Sequence, residues 1–198
     1  FSQGFDEVLP YPPEEESKLI QRAKTGDQAA LSDLYERYVD KIYRFLFYRT
    51  GDEMVAEDLT ATVFTQMITG LPKYEDRGLP FGAWLFRIAR SRLADYWRGV
   101  ERRERRQAQI KQREALKIDM TSHPLEERFD HEGLQQAIEY LTEAEHEVIL
   151  LRFAGGLSNQ EIATVTHSNH NAVKSMMFRA LKKLRKILER KASFAQEE

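Results

Sequence analysis

The segment from Gly156 to Leu188, GLSNQEIATVTHSNHNAVKSMMFRALKKLRKIL, constrains the fold more than any other stretch, because its punctuation specifies a short helix, a tight break and a long helix. Ser158 followed three residues later by Glu161 is a capping box, which satisfies the free backbone donors at the start of the short helix. Asn169 offers a second N-cap, so the chain breaks around 166–168 and restarts. In the second helix Val173, Met177, Ala180, Leu184 and Leu188 recur at steps of three and four and predict one buried stripe. The opposite face carries His170, Asn171, Lys174, Ser175, Phe178, Arg179 and Lys182, mostly groups suited to phosphates and base edges. This is a helix-turn-helix, the arrangement that places a second helix in the major groove of duplex DNA.

A helical bundle with a solvated basic face shows a similar order, and charge separates the two readings. From Ser168 to Lys191 there are eight Lys and Arg residues against Glu189 alone. That surplus repels itself unless a polyanion is near, which favours nucleic acid. The net charge of −2 conceals this asymmetry: residues 1–36 are acid-rich, whereas the terminal helix and the run WRGVERRERRQAQIKQR are basic.

With 198 residues the chain has room for one large or two small domains. Cysteine is absent, which excludes disulfides and thiolate metal sites and fits a cytoplasmic setting. No apolar run approaches the roughly eighteen residues of a membrane span, so membrane insertion is not expected. The start has neither the basic nor the apolar region of a signal peptide. Residues 1–13 are expected to be a flexible lead-in.

Helical patterns follow almost throughout. Residues 15–24 form a short helix ended by Gly26; Asp27 caps a long one whose apolar face includes Leu31, Leu34, Tyr35, Tyr38, Ile42, Phe45 and Leu46. Gly51 ends it, and Asp52 caps a third helix with Val55, Leu59, Val63, Phe64 and Met67 turned inward. A turn-rich loop, LPKYEDRGLP, precedes a fourth helix from Phe81 past Trp97. No stretch alternates like a half-buried strand. The expectation is therefore an all-α fold of two helical domains, 14–99 and 129–192, each with its own core. A charged linker, 100–128, joins them, its first part continuing the fourth helix, and 193–198 is a tail. Residues 129–141 and the capping box of Thr142 and Glu145 begin two further helices, closed by Gly155 and Gly156.

The fourth helix interleaves Phe81, Trp84, Leu85, Ile88 and Trp97 with Arg87, Arg90, Arg92 and Arg98. Rings that stack bases beside cations that hold a backbone suit single-stranded nucleic acid. The same spacing also suits an ordinary core, and on its own it favours the core. The loop before it carries Lys73, Tyr74, Arg77 and Gly78.

Taken in order, AEDLT, FGAWLFRIAR, a charged linker, and LTEAEHEVILLRFAGGLSNQEIA followed by VKS and RALKKLR resemble the extracytoplasmic-function (ECF) class of the sigma-70 family of bacterial RNA polymerase sigma factors. The resemblance covers roughly residues 14–190. It implies a transcription initiation factor, not an enzyme, with no catalytic residue, cofactor or metal. By position it places docking to core RNA polymerase on Glu57, Asp58, Thr62 and Gln66. It places recognition and melting of the −10 promoter element on Lys73, Tyr74, Arg77, Phe81, Trp84, Arg87, Arg90, Ser91, Asp95 and Arg98. The −35 duplex falls to His170, Asn171, Lys174, Ser175, Phe178, Arg179 and Lys182. Its implied partners are core RNA polymerase and promoter DNA, double- and single-stranded, and such proteins are commonly held by an anti-sigma factor.

Four departures from the family pattern bear on binding strength and promoter sequence. Ala61-Thr62 replaces the usual Gln-Glu after AEDLT, His167 stands at the turn glycine, Met176-Met177 replaces Arg-Leu, and Ser91 replaces a common asparagine. Two other readings bind without initiating: a helix-turn-helix regulator with a ligand-sensing first domain, and a polymerase-bound decoy. An enzyme is disfavoured, since the five histidines show no ligand spacing and no glycine loop cradles phosphate.

Overall fold

The computed structural model describes residues 13–75, 80–114 and 140–194. Among them every regular element is helical: α1 (Pro13–Lys24), α2 (Gln28–Thr50), α3 (Glu53–Gly70), a 3₁₀ turn (Leu71–Lys73), α4 (Phe81–Glu114), α5 (Glu143–Phe153), α6 (Asn159–Thr166) and α7 (His170–Phe194). The expected helix over 129–141 and the TSHP break lie outside the described residues, as do Arg77 and the linker beyond Glu114.

The side chains marked in the sequence as caps perform that role. Asp27 accepts from the Ala30 N–H at 3.2 Å and Asp52 from Val55 at 3.1 Å, starting α2 and α3. Gly51 ends α2 in the left-handed region at φ 68°, where a Cβ would be strained. Thr142 with Glu145, and Ser158 with Glu161, close reciprocal capping boxes. Asn169 accepts from Ala172 at 2.8 Å to start α7.

Helices α1–α4 pack around Leu34, Ile42, Phe45, Leu46, Val63, Met67, Phe81, Leu85 and Phe86, all fully buried. The stripe expected on α3 holds at Val63, Phe64 and Met67, all buried, but shifts by one position in the first two turns. Ala56 and Thr60 are buried while Val55 and Leu59 are only half-buried. Thr60 tolerates burial because its hydroxyl donates to the Ala56 carbonyl at 2.7 Å. Tyr35 is 47 % exposed and lies edge-on to Phe64 instead of filling the core. Helix α4 runs 34 residues, through the position where a linker was expected to start, with residues 101–107 exposed.

Helices α5–α7 pack around Val148, Leu151, Ile162, Val165 and Val173. The expectation of two separate cores gives way to one continuous apolar cluster spanning both halves. The reason is local. The α4 ring of Phe86 meets the backbone of Gly155 so closely that a Cβ there would stand 2.8 Å from the ring. Around this contact α4 lies against α5 and α6, and α2 touches α5.

Candidate nucleic-acid interface

On α7 the seven residues expected to face duplex DNA, His170, Asn171, Lys174, Ser175, Phe178, Arg179 and Lys182, are all exposed. The helix is held from behind by Val173 and Ala180, both fully buried, with Met177 and Leu184 half-buried beside them. Phe178 is 69 % exposed, an apolar ring on an otherwise polar face. Arg179 is shared: its Nε lies 3.3 Å from Glu145 Oε1, while Lys183 Nζ donates to Glu145 Oε2 at 2.6 Å. Glu145 is buried, and these cations with the Thr142 cap hold its carboxyl down to about 2. The clamp fixes α7 against α5. The capping box made Glu145 visible in the sequence, but its second role was not, because nothing local links positions 145, 179 and 183.

The turn before α7 answers the question raised by His167. It adopts the left-handed conformation, φ 54° and ψ 38°, caps α6, and donates its N–H to Ala163. A histidine pays a strain there that glycine would not. Its ring is not free: Arg87 Nη2 of α4 lies 3.2 Å from Nδ1.

The residues expected at melted DNA, at the 3₁₀ turn and along α4, divide into three groups. Tyr74 and Phe81 are buried, 6 % and 1 % exposed, and lie inside the packing of this half. Phe81 sits among Tyr38, Tyr74 and Trp84 with centroids 5.4–5.5 Å away. Lys24 Nζ pins the Tyr74 carbonyl at 2.7 Å, and Gly70 lies so near Trp84 that a Cβ would stand 3.1 Å from its ring. Trp84 itself is half-buried. Lys73 and Ser91 are exposed, and Arg98 pairs with Asp95, which also takes Arg92 at 3.1 Å. Arg87 and Arg90 instead face the C-terminal half. Arg90 Nε donates to Glu147 at 2.5 Å and its Nη1 to the Val165 carbonyl at 3.1 Å. Trp97, 39 % exposed, lines the same cleft of about 780 Å³ between the halves.

On α3, Glu57, Asp58 and Thr62 are exposed and Gln66 is half-buried at the edge of their face. Exposed Met54 and Ile68 flank them, 76 % and 53 %. Among the described residues no group of three or more His, Cys, Asp or Glu is placed to hold a metal ion. None of the described helices is long and apolar enough to cross a membrane.

Comparison with known proteins decides the family. Residues 34–103 match sigma-70 region 2 and residues 131–184 match sigma-70 region 4. The chain is 31% identical over 167 residues to the ECF RNA polymerase sigma factor SigX of Bacillus subtilis, covering 79% of this chain and 82% of SigX. It belongs to the ECF RNA polymerase sigma factors. BldN of Streptomyces coelicolor, another ECF sigma factor, is 32% identical over 175 residues, and that match covers 86% of this chain but 65% of BldN. The fold of CnrH, solved in complex with the cytosolic domain of CnrY, superimposes with a TM-score of 0.63 at 25% identity, covering 88% of this chain and 97% of CnrH. In these terms α2–α4 are the region 2 half and α5–α7 the region 4 half of the sigma factor.

Proposed function

We propose that this sigma factor binds core RNA polymerase, reads a −35 duplex through α7, and captures the melted −10 strand along α4 to start transcription. The observation that carries the reading is the exposed polar and basic face of α7, held from behind by Val173, Ala180 and the Glu145 clamp. Such a helix fits the major groove, where base edges differ most. Lys174 and Lys182 serve phosphates or guanine edges, Asn171 and Ser175 base edges, and Phe178 a thymine methyl.

Exposed Lys73 of the 3₁₀ turn and, along α4, exposed Ser91 and Arg98, half-buried Trp84 and Asp95, and Arg87 and Arg90 are assigned to the melted strand. Tyr74 and Phe81 brace Trp84 from beneath. Melting costs a few kcal/mol per unstacked step, offset by stacking and backbone contacts. The exposed side of α3, with Glu57, Asp58, Thr62 and Gln66, is the polymerase-docking face. The apolar Met54 and Ile68 beside it suit a covering protein, the role of an anti-sigma factor. No catalytic side chain is needed, since the polymerase performs the chemistry, and the setting is the cytoplasm where it works.

Run-off transcription with core polymerase on a genomic fragment pool tests this, with start sites revealing the −35 and −10 sequences. Initiation is expected, and Lys174→Ala with Arg179→Ala should reduce it at least about tenfold, since each base contact contributes about 1–3 kcal/mol. Undiminished initiation by that variant removes the assignment of the α7 face. Binding to polymerase without initiation identifies a decoy.

A further inference from the structure

Of the seven residues on the exposed face of α7, Arg179 is the one bonded to another helix among the described residues. Its Nε meets Glu145 Oε1 of α5 at 3.3 Å, and Lys183, one turn further along α7, donates to Oε2 at 2.6 Å. The Thr142 N–H donates to the same Oε2 at 3.0 Å, so the carboxylate is held by the start of its own helix as well. Glu145 is only 3 % exposed, whereas the Arg179 side chain keeps 58 % of its surface in solvent. The guanidinium is thus gripped at its Nε edge while most of the side chain stays open.

We infer that Glu145 is a positioning residue for promoter reading: it fixes the plane of the Arg179 guanidinium, so that Arg179 reads a guanine of the −35 duplex through Nη1 and Nη2 and sets the preference at that base pair. The inference rests on α7 being the duplex-reading helix, as proposed above. A cation on a free, flexible stem is enough for a phosphate, which accepts from many directions. A guanine edge asks for more, because N7 and O6 need two N–H groups held in one plane. Tying Nε to a buried acceptor removes rotamer freedom before DNA arrives, so less is lost on binding. Charge agrees with this role. One carboxylate against Arg179 and Lys183 leaves the cluster net positive, so the anchor does not cancel the attraction to DNA. Val173 and Ala180, both fully buried, set the depth of α7, and Glu145 sets the aim of the side chain at the edge of its exposed face.

Run-off transcription with core polymerase and the full chain tests this, on a promoter fragment whose −35 element is randomised and whose transcripts carry a barcode for each −35 sequence. The parent chain should prefer guanine at one base pair, and Arg179→Ala should abolish that preference. Glu145→Gln should reduce it about tenfold at that pair alone, and adding it to Arg179→Ala should relax the pair no further. A merely structural carboxylate predicts instead an even loss of initiation over all −35 sequences. Lys183→Ala weakens the same clamp without removing the Arg179 contact, so it should keep the preference. Should Glu145→Gln unfold the chain, Glu145→Asp keeps the charge but draws it back by one methylene from a contact already 3.3 Å long, and should lower the preference in the same way. A preference that Glu145→Gln leaves unchanged or sharpens overturns the inference, as does an equal loss in Lys183→Ala or an even loss in Arg179→Ala. The two readings stay distinct. If Arg179→Ala abolishes the guanine preference while Glu145→Gln keeps it, positioning alone fails; if the parent chain shows no −35 preference, the duplex-reading role of α7 fails as well.

Discussion

Glu145 takes the Thr142 N–H at 3.0 Å and Lys183 at 2.6 Å on one oxygen, and Arg179 on the other. A buried carboxylate with this many donors stays charged far below its ordinary value of 4.5. Because the folded value is depressed, its contribution to stability is complete above about pH 4.5 and is lost as the pH falls toward 2. Glu145→Gln should cost about 1–2 kcal/mol at neutral pH, since the two cations it releases are half-exposed and regain water, and should flatten that acid limb. Urea unfolding midpoints across the range measure both. The neighbouring His146 acts in a higher window. Burial, and then the Arg49 charge facing it from α2, push it down to about 4, against an opposing pull from Glu143 of α5. The folded chain holds it neutral, so the stability it permits is complete above pH 6.5 and declines as the pH drops from 6.5 to 4. His146→Asn should remove that decline, so the wild-type chain loses more stability between pH 7 and pH 5 than the variant does.

At the scale of elements, caps and glycine stops were legible because each is decided within four residues. Ser158→Ala should show this: it removes the acceptor for Glu161 N–H at 3.3 Å and should cost about 1 kcal/mol, read as a lower urea midpoint. The faces of helices were less legible, because they depend on which neighbour arrives. Thr60 reads as polar yet is buried, its hydroxyl bonded to its own helix, and it rather than Leu59 faces inward at that turn of α3. Tyr74 and Phe81 read equally well as stacking rings or core. Phe81 is covered by Tyr38, whose hydroxyl donates to Glu16 at 2.6 Å and whose ring closes over Gly82 and Phe81, and Tyr74 packs in turn on Phe81 and Trp84. Lys174 and Phe178 needed no tertiary information, since charge and periodicity on one helix placed them outward. Arg87 and Arg90 did need it. Their spacing marks a basic face, and nothing in that spacing names Glu147, Val165 or His167 as what meets it.

For the molecule as a whole, the seam between the two halves predicts how the chain unfolds. Phe86 lies edge-on to Phe45 at 5.5 Å on one side and against Gly155 on the other, so one ring belongs to the packing of both halves. Halves that share buried apolar surface lose it together, which makes unfolding a single cooperative transition. The sequence supplies its own probe, because both tryptophans, Trp84 and Trp97, lie on α4, while far-UV circular dichroism reports every helix. Thermal transitions followed by the two signals should coincide in the parent chain. Gly155→Ala places a Cβ 2.6 Å from the Leu151 carbonyl and 2.8 Å from Phe86, so α5 must shift and the seam must open. The strain falls on the C-terminal half and on the contact; with Trp97, which lines the cleft, replaced by Phe, the remaining tryptophan, Trp84, stays in the other packing unit beside Tyr74 and Phe81. The dichroism signal should then gain an earlier component that the tryptophan signal lacks. Separate transitions in the parent chain would mean that the shared ring couples the halves too weakly to hold them, and the closed arrangement would then be one of several the free factor samples.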